Sequence, residues 1–150
     1  MGNGHMGRKM ALTVCLLSGC AWCLALATRA DSAETTRSED TFKPVAPVES
    51  LMHGQMVFFK EINEQIRKPA SSERNHEIGE SAEILAELAN VNRFNSTKED
   101  YRGWATSLRD AAMDLAKETE KGDAADQANM MKLLQSMKST CGACHDVYRE

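Results

Sequence analysis

The residues of this 150-residue chain that are best suited to chemistry lie near its C-terminus, in the segment CGACH at residues 141–145. Two thiols three positions apart, followed at once by a histidine, form the pattern to which a c-type haem is attached. On a helix, Cys141 and His145 lie one turn apart with Cys144 beside them. Both thiols can then form thioethers to vinyl groups while the imidazole reaches the iron. The pattern therefore predicts one covalently attached haem c, with His145 as the proximal iron ligand.

Other chemistries of this cysteine pair fit the sequence less well. A disulfide or thioredoxin-like redox pair favours a strand followed by a helix, and no stretch here has the alternating pattern of a strand. A structural zinc ion needs four protein ligands, and His53 or His76 would have to supply the fourth. No pair of carboxylates, no nucleophile with a base and no phosphate-binding loop stands out, so we expect a protein that is not an enzyme.

Three further cysteines lie in an uncharged, mostly apolar run at residues 10–27, which follows two basic residues. This order is typical of a secretory signal peptide, so residues 1–27 are expected to be a signal peptide or an N-terminal membrane anchor. The segment LSGC at residues 17–20 also resembles a bacterial lipobox, in which Cys20 would be lipidated. Each alternative predicts a periplasmic or otherwise exported protein. Membrane attachment is expected only if this segment is retained or lipidated.

Composition narrows the range of partners. Residues 28–47 are rich in Ser, Thr, Asp and Glu and contain Pro44 and Pro47, which predicts a flexible linker. The chain has 18 basic and 22 acidic side chains, a formal net charge of −4. This charge argues against nucleic-acid binding and favours protein partners with a basic patch.

Residues 48–150 carry four apolar stripes with helical spacing, at residues 48–66, 78–89, 101–115 and 125–148. Pro69 follows the first stripe, residues 96–99 have the spacing of a capping box before the third, and Gly122 is a stop signal after it. Short connections place successive helices antiparallel. The sequence therefore predicts an all-α cytochrome domain at residues 48–150, an antiparallel up-down-up-down four-helix bundle with haem in the bundle.

The segment CGACHDVYR at residues 141–149, at the end of a four-helix chain with an export signal, resembles the class II cytochromes c, the group of cytochrome c′ and cytochrome c556. The resemblance covers residues 45–150. It implies that the haem lies inside the bundle, held by the last helix, with His145 as the proximal ligand. It also implies that Arg149, four residues after this histidine, lies beside the haem. Many relatives dimerise, so the resemblance raises a homodimer as an expectation.

A sixth iron ligand is expected from upstream, because only five residues follow His145 in this sequence. The resemblance implies that it comes from the first helix, which carries Met52, His53 and Met56. Alignment of residues 51–56 with the distal segment of the family favours Met56, with Met52 as the alternative, whereas His53 falls off the apolar stripe. Methionines at helical spacing are also common as plain core residues.

Two functions are distinguished by whether a methionine occupies the sixth position of the iron. Ligation by histidine and methionine leaves no vacant site on the iron and raises the reduction potential, which predicts a one-electron carrier that serves redox partner proteins. Five-coordinate iron, as in typical cytochromes c′, would instead bind NO or CO. The sequence interpretation favours the electron carrier.

Overall fold

Four stretches with an apolar side chain at every third or fourth position form the helices of the fold. In the computed structural model, which describes residues 42–149, they are α1 (Val48–Gln65), α2 (Ser72–Asn92), α3 (Glu99–Thr119) and α4 (Gln127–Tyr148). Within these residues there is no strand, and no helix is long and apolar enough to cross a membrane. The four predicted helices and the all-α class are confirmed. The predicted leader at residues 1–27 and most of the predicted linker lie outside the described residues.

Side-chain caps mark the beginning of two helices. The Ser71 Oγ accepts a hydrogen bond of 3.1 Å from the Arg74 N–H at the start of α2. At the start of α4, the Asp126 carboxylate accepts from the N–H groups of Ala128 and Asn129, at 2.9 and 3.3 Å. Each cap satisfies N–H groups that have no partner within the helix. The caps therefore fix the residues at which α2 and α4 begin.

The capping box predicted at residues 96–99 is wrong. The residue that precedes α3 is Lys98, and no side chain caps this helix. The Ser96 Oγ accepts instead from the N–H of Lys98, at 3.2 Å. A serine hydroxyl that accepts from the N–H two residues later forms a local turn. The Ser96 hydroxyl is therefore not available to accept from the N–H of Glu99, as a capping box would require. Gly122, with a φ of 57°, lies in the turn just after α3, as expected for a stop signal.

Close approach between neighbouring helices explains why the core holds many alanines and few aromatic rings. At Gly79 of α2, an added Cβ would lie 2.6 Å from the Oγ1 of Thr119 on α3. At Gly54 of α1, it would lie 3.1 Å from a methyl group of Leu88 on α2. The fully buried larger side chains come from all four helices, namely Ile62, Ile66, Ile78, Leu85, Leu115, Met130 and Met137. The core therefore fixes α1, α2 and α3 at short range.

The bundle is closed on three sides and open on the fourth. Helix α1 packs on α2, α2 on α3, and α3 on α4, whereas direct contact between α1 and α4 is sparse in the described part of the chain. One link joins them where α1 ends and α4 begins, because the Gln127 Nε2 donates to the carbonyl oxygen of Ile66 at 2.9 Å. Towards the start of α1 and the end of α4 the two helices leave a gap, which we call the α1–α4 slot.

Candidate haem site

The cysteine and histidine side chains of the CGACH segment lie on the last two turns of α4. Neither cysteine is in a disulfide; Cys141 is half-buried and Cys144 is 9% exposed. Burial raises the pKa of both thiols, so both are protonated at neutral pH. The imidazole of His145 is partly buried beside them. Two unbonded thiols and one imidazole are therefore presented together by α4.

Three depressions form the α1–α4 slot, and Met52 of α1 and His145 of α4 line all three. The inner one is the smallest and reaches Trp104 and Leu108 of α3. A second is also small and is bordered by Phe59. The third is the largest and opens to solvent at the helix ends. Because the three share Met52 and His145, these two side chains face the same space from opposite walls.

The slot has mostly apolar walls, with a few polar side chains among them. The Tyr101 hydroxyl donates to the Asn92 Oδ1 at 2.9 Å, and the Thr140 Oγ1 donates to the backbone oxygen of Ser136 at 3.0 Å. Gln55 differs from these groups: its side chain is 7% exposed, and its Nε2 has no hydrogen-bond partner. Gln55 lines both the inner and the second depression.

The structure places the candidate ligands on α1 at different depths. Met52 is half-buried in the slot, whereas Met56, one turn further along α1, is 45% exposed and lines only the second depression. His53 is exposed and borders only the outer, solvent-open depression. Arg149 is also exposed at this outer depression. Of the α1 candidates, Met52 is therefore the one that lies deepest among the slot residues.

Aromatic side chains hold the end of α4 against α3. The Tyr148 ring packs edge-on against Tyr101 and Trp104, at centroid distances of 5.4 and 5.9 Å. Its hydroxyl donates to the Asp100 Oδ1 at 2.7 Å. This hydrogen bond raises the pKa of Tyr148 to about 12 and lowers the pKa of Asp100. These contacts fix the turn of α4 that carries His145.

Sequence reasoning missed several residues of the slot, namely Gln55, Asn92, Tyr101, Leu108 and Thr140. One signal for Gln55 is present, because it lies three positions after Met52 and therefore on the same face of α1. A polar residue on the apolar face of a helix is expected to be buried, and a buried polar side chain is a stronger sign of a special role than an exposed apolar one. Asn92 and Thr140 carry no comparable signal, since their position depends on how α2 and α4 pack.

Comparison with known proteins identifies the class to which this site is related. Residues 89–149, which include α3, α4 and the CGACH segment, match the model of the cytochrome C′ family. The match confirms the resemblance to the class II cytochromes c, and it supports a c-type cytochrome. Comparison with curated proteins and with solved structures gave no significant match.

The donor set of the slot fits the haem c that the family match implies. In residues 42–149, no group of three or more His, Cys, Asp or Glu side chains could hold a metal ion. A porphyrin brings its iron already held by four ring nitrogens, so the protein needs to supply only axial ligands. Cys141 and Cys144 can form the two thioethers, His145 supplies an imidazole, and the apolar walls suit the macrocycle.

Proposed function

We propose that the protein is an exported c-type cytochrome that carries single electrons between redox partner proteins. One haem c is attached to Cys141 and Cys144, and its iron is ligated by His145 and a methionine of α1. The observation that carries this proposal is the α1–α4 slot, in which Met52 and His145 line every depression. When bound, the haem supplies one-electron iron chemistry; the chain binds it, orients it and keeps water from it.

Met52 is the methionine that we propose as the sixth ligand, ahead of Met56. Its support is burial: Met52 is half-buried among the slot residues, whereas Met56 is 45% exposed. The two lie one turn apart on α1, so only one of them can approach the iron. A thioether ligand would leave the iron without a vacant site and would raise the reduction potential.

Side chains of α3 would complete the environment of the haem. Trp104, Ala105 and Leu108 give the slot an apolar wall, and a water-poor site disfavours the extra positive charge of the oxidised iron. The acidic net charge of −4 favours a redox partner with a basic patch, with association that slows as salt rises. We propose no nucleic-acid partner. Export and a homodimer belong to the same proposal, and so does membrane attachment where residues 1–27 are retained or Cys20 is lipidated.

Absorption spectra test the proposal directly. The protein is expressed in a host with haem-attachment machinery and measured oxidised and reduced, with and without CO. We expect a low-spin haem that CO binds poorly, because the sixth position is taken. Absence of haem bands would overturn the whole proposal. A high-spin spectrum with ready CO binding would overturn the electron carrier.

Two single substitutions separate the methionines. Met52→Ala is expected to convert the haem from low-spin to high-spin, whereas Met56→Ala on the same helix should leave the spectrum unchanged and serves as the matched control. The reverse result would assign the sixth position to Met56. If neither substitution alters the spin state, then neither methionine ligates the iron.

A second candidate function is a five-coordinate binder of NO or CO. The observation that favours it is the buried Gln55 side chain, whose Nε2 has no partner and which lines the slot. An electron carrier with a filled sixth position has no use for a donor at this place. The CO experiment above distinguishes the two functions.

A further inference from the structure

Gln55 stands out among the polar side chains that line the α1–α4 slot. The hydroxyls of Tyr101 and Thr140 donate to other protein groups, and Asn92 accepts from Tyr101. The Gln55 Nε2 is fully enclosed and is bonded to nothing. An unpaired buried amide destabilises a fold, so a group of the bound state is expected to pair with it.

The surroundings of Gln55 limit what that group can be. Both depressions that Gln55 lines are also lined by Met52, Leu108, Cys141 and His145. Gln55 lies on α1, and His145 reaches the slot from α4, so the amide belongs to the wall across from the proximal histidine. A ligand that binds the iron on that side would meet the amide donor beside polar groups of Tyr101 and Thr140 that already donate elsewhere.

An amide N–H discriminates between small ligands by their charge. It stabilises a ligand whose outer atom carries negative charge, because hydrogen bonds to charged acceptors are the stronger ones. It does little for carbon monoxide, whose outer atom is nearly neutral when bound. A low-dielectric enclosure enlarges this difference.

We propose that Gln55 is a specificity-determining residue of the haem site: where the sixth position of the iron is vacant, its Nε2 donates a hydrogen bond to a small anionic ligand on the side of the haem across from His145. The proposal rests on the proposed haem and on His145 as its proximal ligand, but not on the electron-carrier role. Gln55 selects by charge, and the apolar walls around it select by size.

Cyanide and carbon monoxide are the two probes of the test. The holoprotein is prepared with Met52→Ala, so that the sixth position is open, and is then combined with Gln55→Leu or Gln55→Glu. Leucine has a similar size but no donor, and glutamate has a similar shape but an acceptor in place of the donor. Gln65→Leu, at the opposite end of α1, is the matched control.

Loss of the donor is expected to weaken cyanide binding to the ferric protein roughly tenfold or more. Gln55→Glu should weaken it further, and Gln65→Leu should leave it unchanged. Carbon monoxide affinity of the ferrous protein should change less than about twofold. The stretching frequency of bound CO should nevertheless rise in Gln55→Leu, because the donor that polarises the ligand is gone.

Equal effects of Gln55→Leu on cyanide and CO would overturn the proposal, since Gln55 would then act only through its size. An unchanged CO stretching frequency would overturn it as well. Failure of the proposed function is seen separately, because the starting protein would then lack haem bands or the spectrum of a histidine-ligated haem. The cyanide comparison is made only after that spectrum is in hand.

Discussion

Where α1 ends and α4 begins, polar side chains tie the helices together, whereas where α1 begins and α4 ends, the same two helices are separated by the slot. We call the first region the polar end, defined by Arg74, Asn75, Glu118 and Gln127. The second is the slot end, defined by Met52, Gln55, Cys141 and His145. Both ends are made from the same four helices, and they differ in what satisfies their buried surfaces.

At the polar end, the guanidinium of Arg74 is a centre of hydrogen bonds. It donates to the Lys68 carbonyl at 2.8 Å, to the Asn75 Oδ1 at 2.6 Å and to the Gln127 Oε1 at 2.9 Å. The Asn75 Nδ2 in turn donates to the Gly122 carbonyl at 2.7 Å. These bonds join the segment after α1, the start of α2, the turn after α3 and the start of α4.

Glu118 forms a second centre of hydrogen bonds at the polar end. Its carboxylate, 5% exposed, accepts from the Lys121 Nζ, the Asp126 N–H and the Asn129 Nδ2, each at 2.8 Å. At the slot end the Gln55 Nε2 is left without a partner, and at the other end of α1 so is the Gln65 Oε1. Hydrogen bonds at the polar end therefore link α1 to α4, whereas at the slot end the same two helices stay apart.

Of the changes considered, loss of the proposed haem is expected to alter the difference in amide protection between the two ends the most. A Cys141→Ser, Cys144→Ser double variant should lack covalent haem, and the slot end would then have no group between α1 and α4. We expect amide hydrogen exchange in the first turns of α1 to rise roughly a thousandfold relative to the holoprotein, while the amides around Arg74 keep most of their protection. Mass spectrometry of exchanged peptides measures both regions. A uniform rise at both ends would contradict the contrast.

Arg74→Met is expected to have the next largest effect, at the opposite end. Methionine fills much of the space but leaves three acceptors without their donor, so we expect a loss of about 3 kcal/mol in the free energy of unfolding. Urea unfolding measures it. The control is Arg67→Met, since Arg67 is exposed in the turn after α1 and donates to Asn63, four residues earlier. The haem spectrum should stay the same in both variants; a shifted spectrum in Arg74→Met would show that the two ends are coupled.

Close packing next to the polar end gives a smaller expected effect. Gly79→Ala places a Cβ 2.6 Å from the Thr119 Oγ1, which already donates to the Ala116 carbonyl, so we expect a loss of about 1–2 kcal/mol. Gly103→Ala is the matched control in a helix of the slot end, where an added Cβ meets nothing within 4 Å. It should stabilise the protein by about 0.5–1 kcal/mol. Thermal unfolding compares the two; equal signs would contradict the expectation.

Acid should act on the polar end through Glu118. The hydrogen bond from Lys121, together with those from Asp126 and Asn129, lowers the pKa of Glu118 to about 2 from 4.5. A carboxylate with a lowered pKa stabilises the folded state above its unfolded value, and that contribution is lost as the pH falls from about 4.5 towards 2. The urea midpoint should therefore fall over this window, and less steeply in Glu118→Gln. Parallel profiles for the two proteins would contradict this role.

The sequence predicts the fold well because apolar side chains repeat at helical spacing in all four helices. The failure at Ser96 has a local cause, since its hydroxyl bonds the Lys98 N–H and forms a turn before the helix begins. The CGACH segment predicts a haem site from the sequence alone because its two thiols and its imidazole lie close together on neighbouring turns of one helix. Arg74, Asn75 and Glu118 were not anticipated, because a polar residue is recognised as buried only when partners from distant loops are known.

The sequence predicts the kind of site, a haem site, but not how deeply each candidate ligand of α1 lies in the slot. Helical spacing places Met52 and Met56 on one stripe, and it cannot say which of them lies nearer the slot. That depends on how far α1 tilts from α4, which is decided by contacts such as those of Gly54 and Gln127 at other places in the fold. Gln55 lay on the same stripe, and its importance followed only from the absence of a partner for its Nε2.

The open fourth side of the bundle also bears on how the protein matures. Helix α1 packs on α2, and α2 packs on α3, through a buried core that lies mostly outside the slot, so we expect these three helices to assemble before the proposed haem is attached. Both thiols lie on α4 and line the slot, Cys141 half-buried and Cys144 buried. We therefore expect haem to enter a largely formed bundle sideways, between α1 and α4, so that attachment is the last step of folding rather than the first.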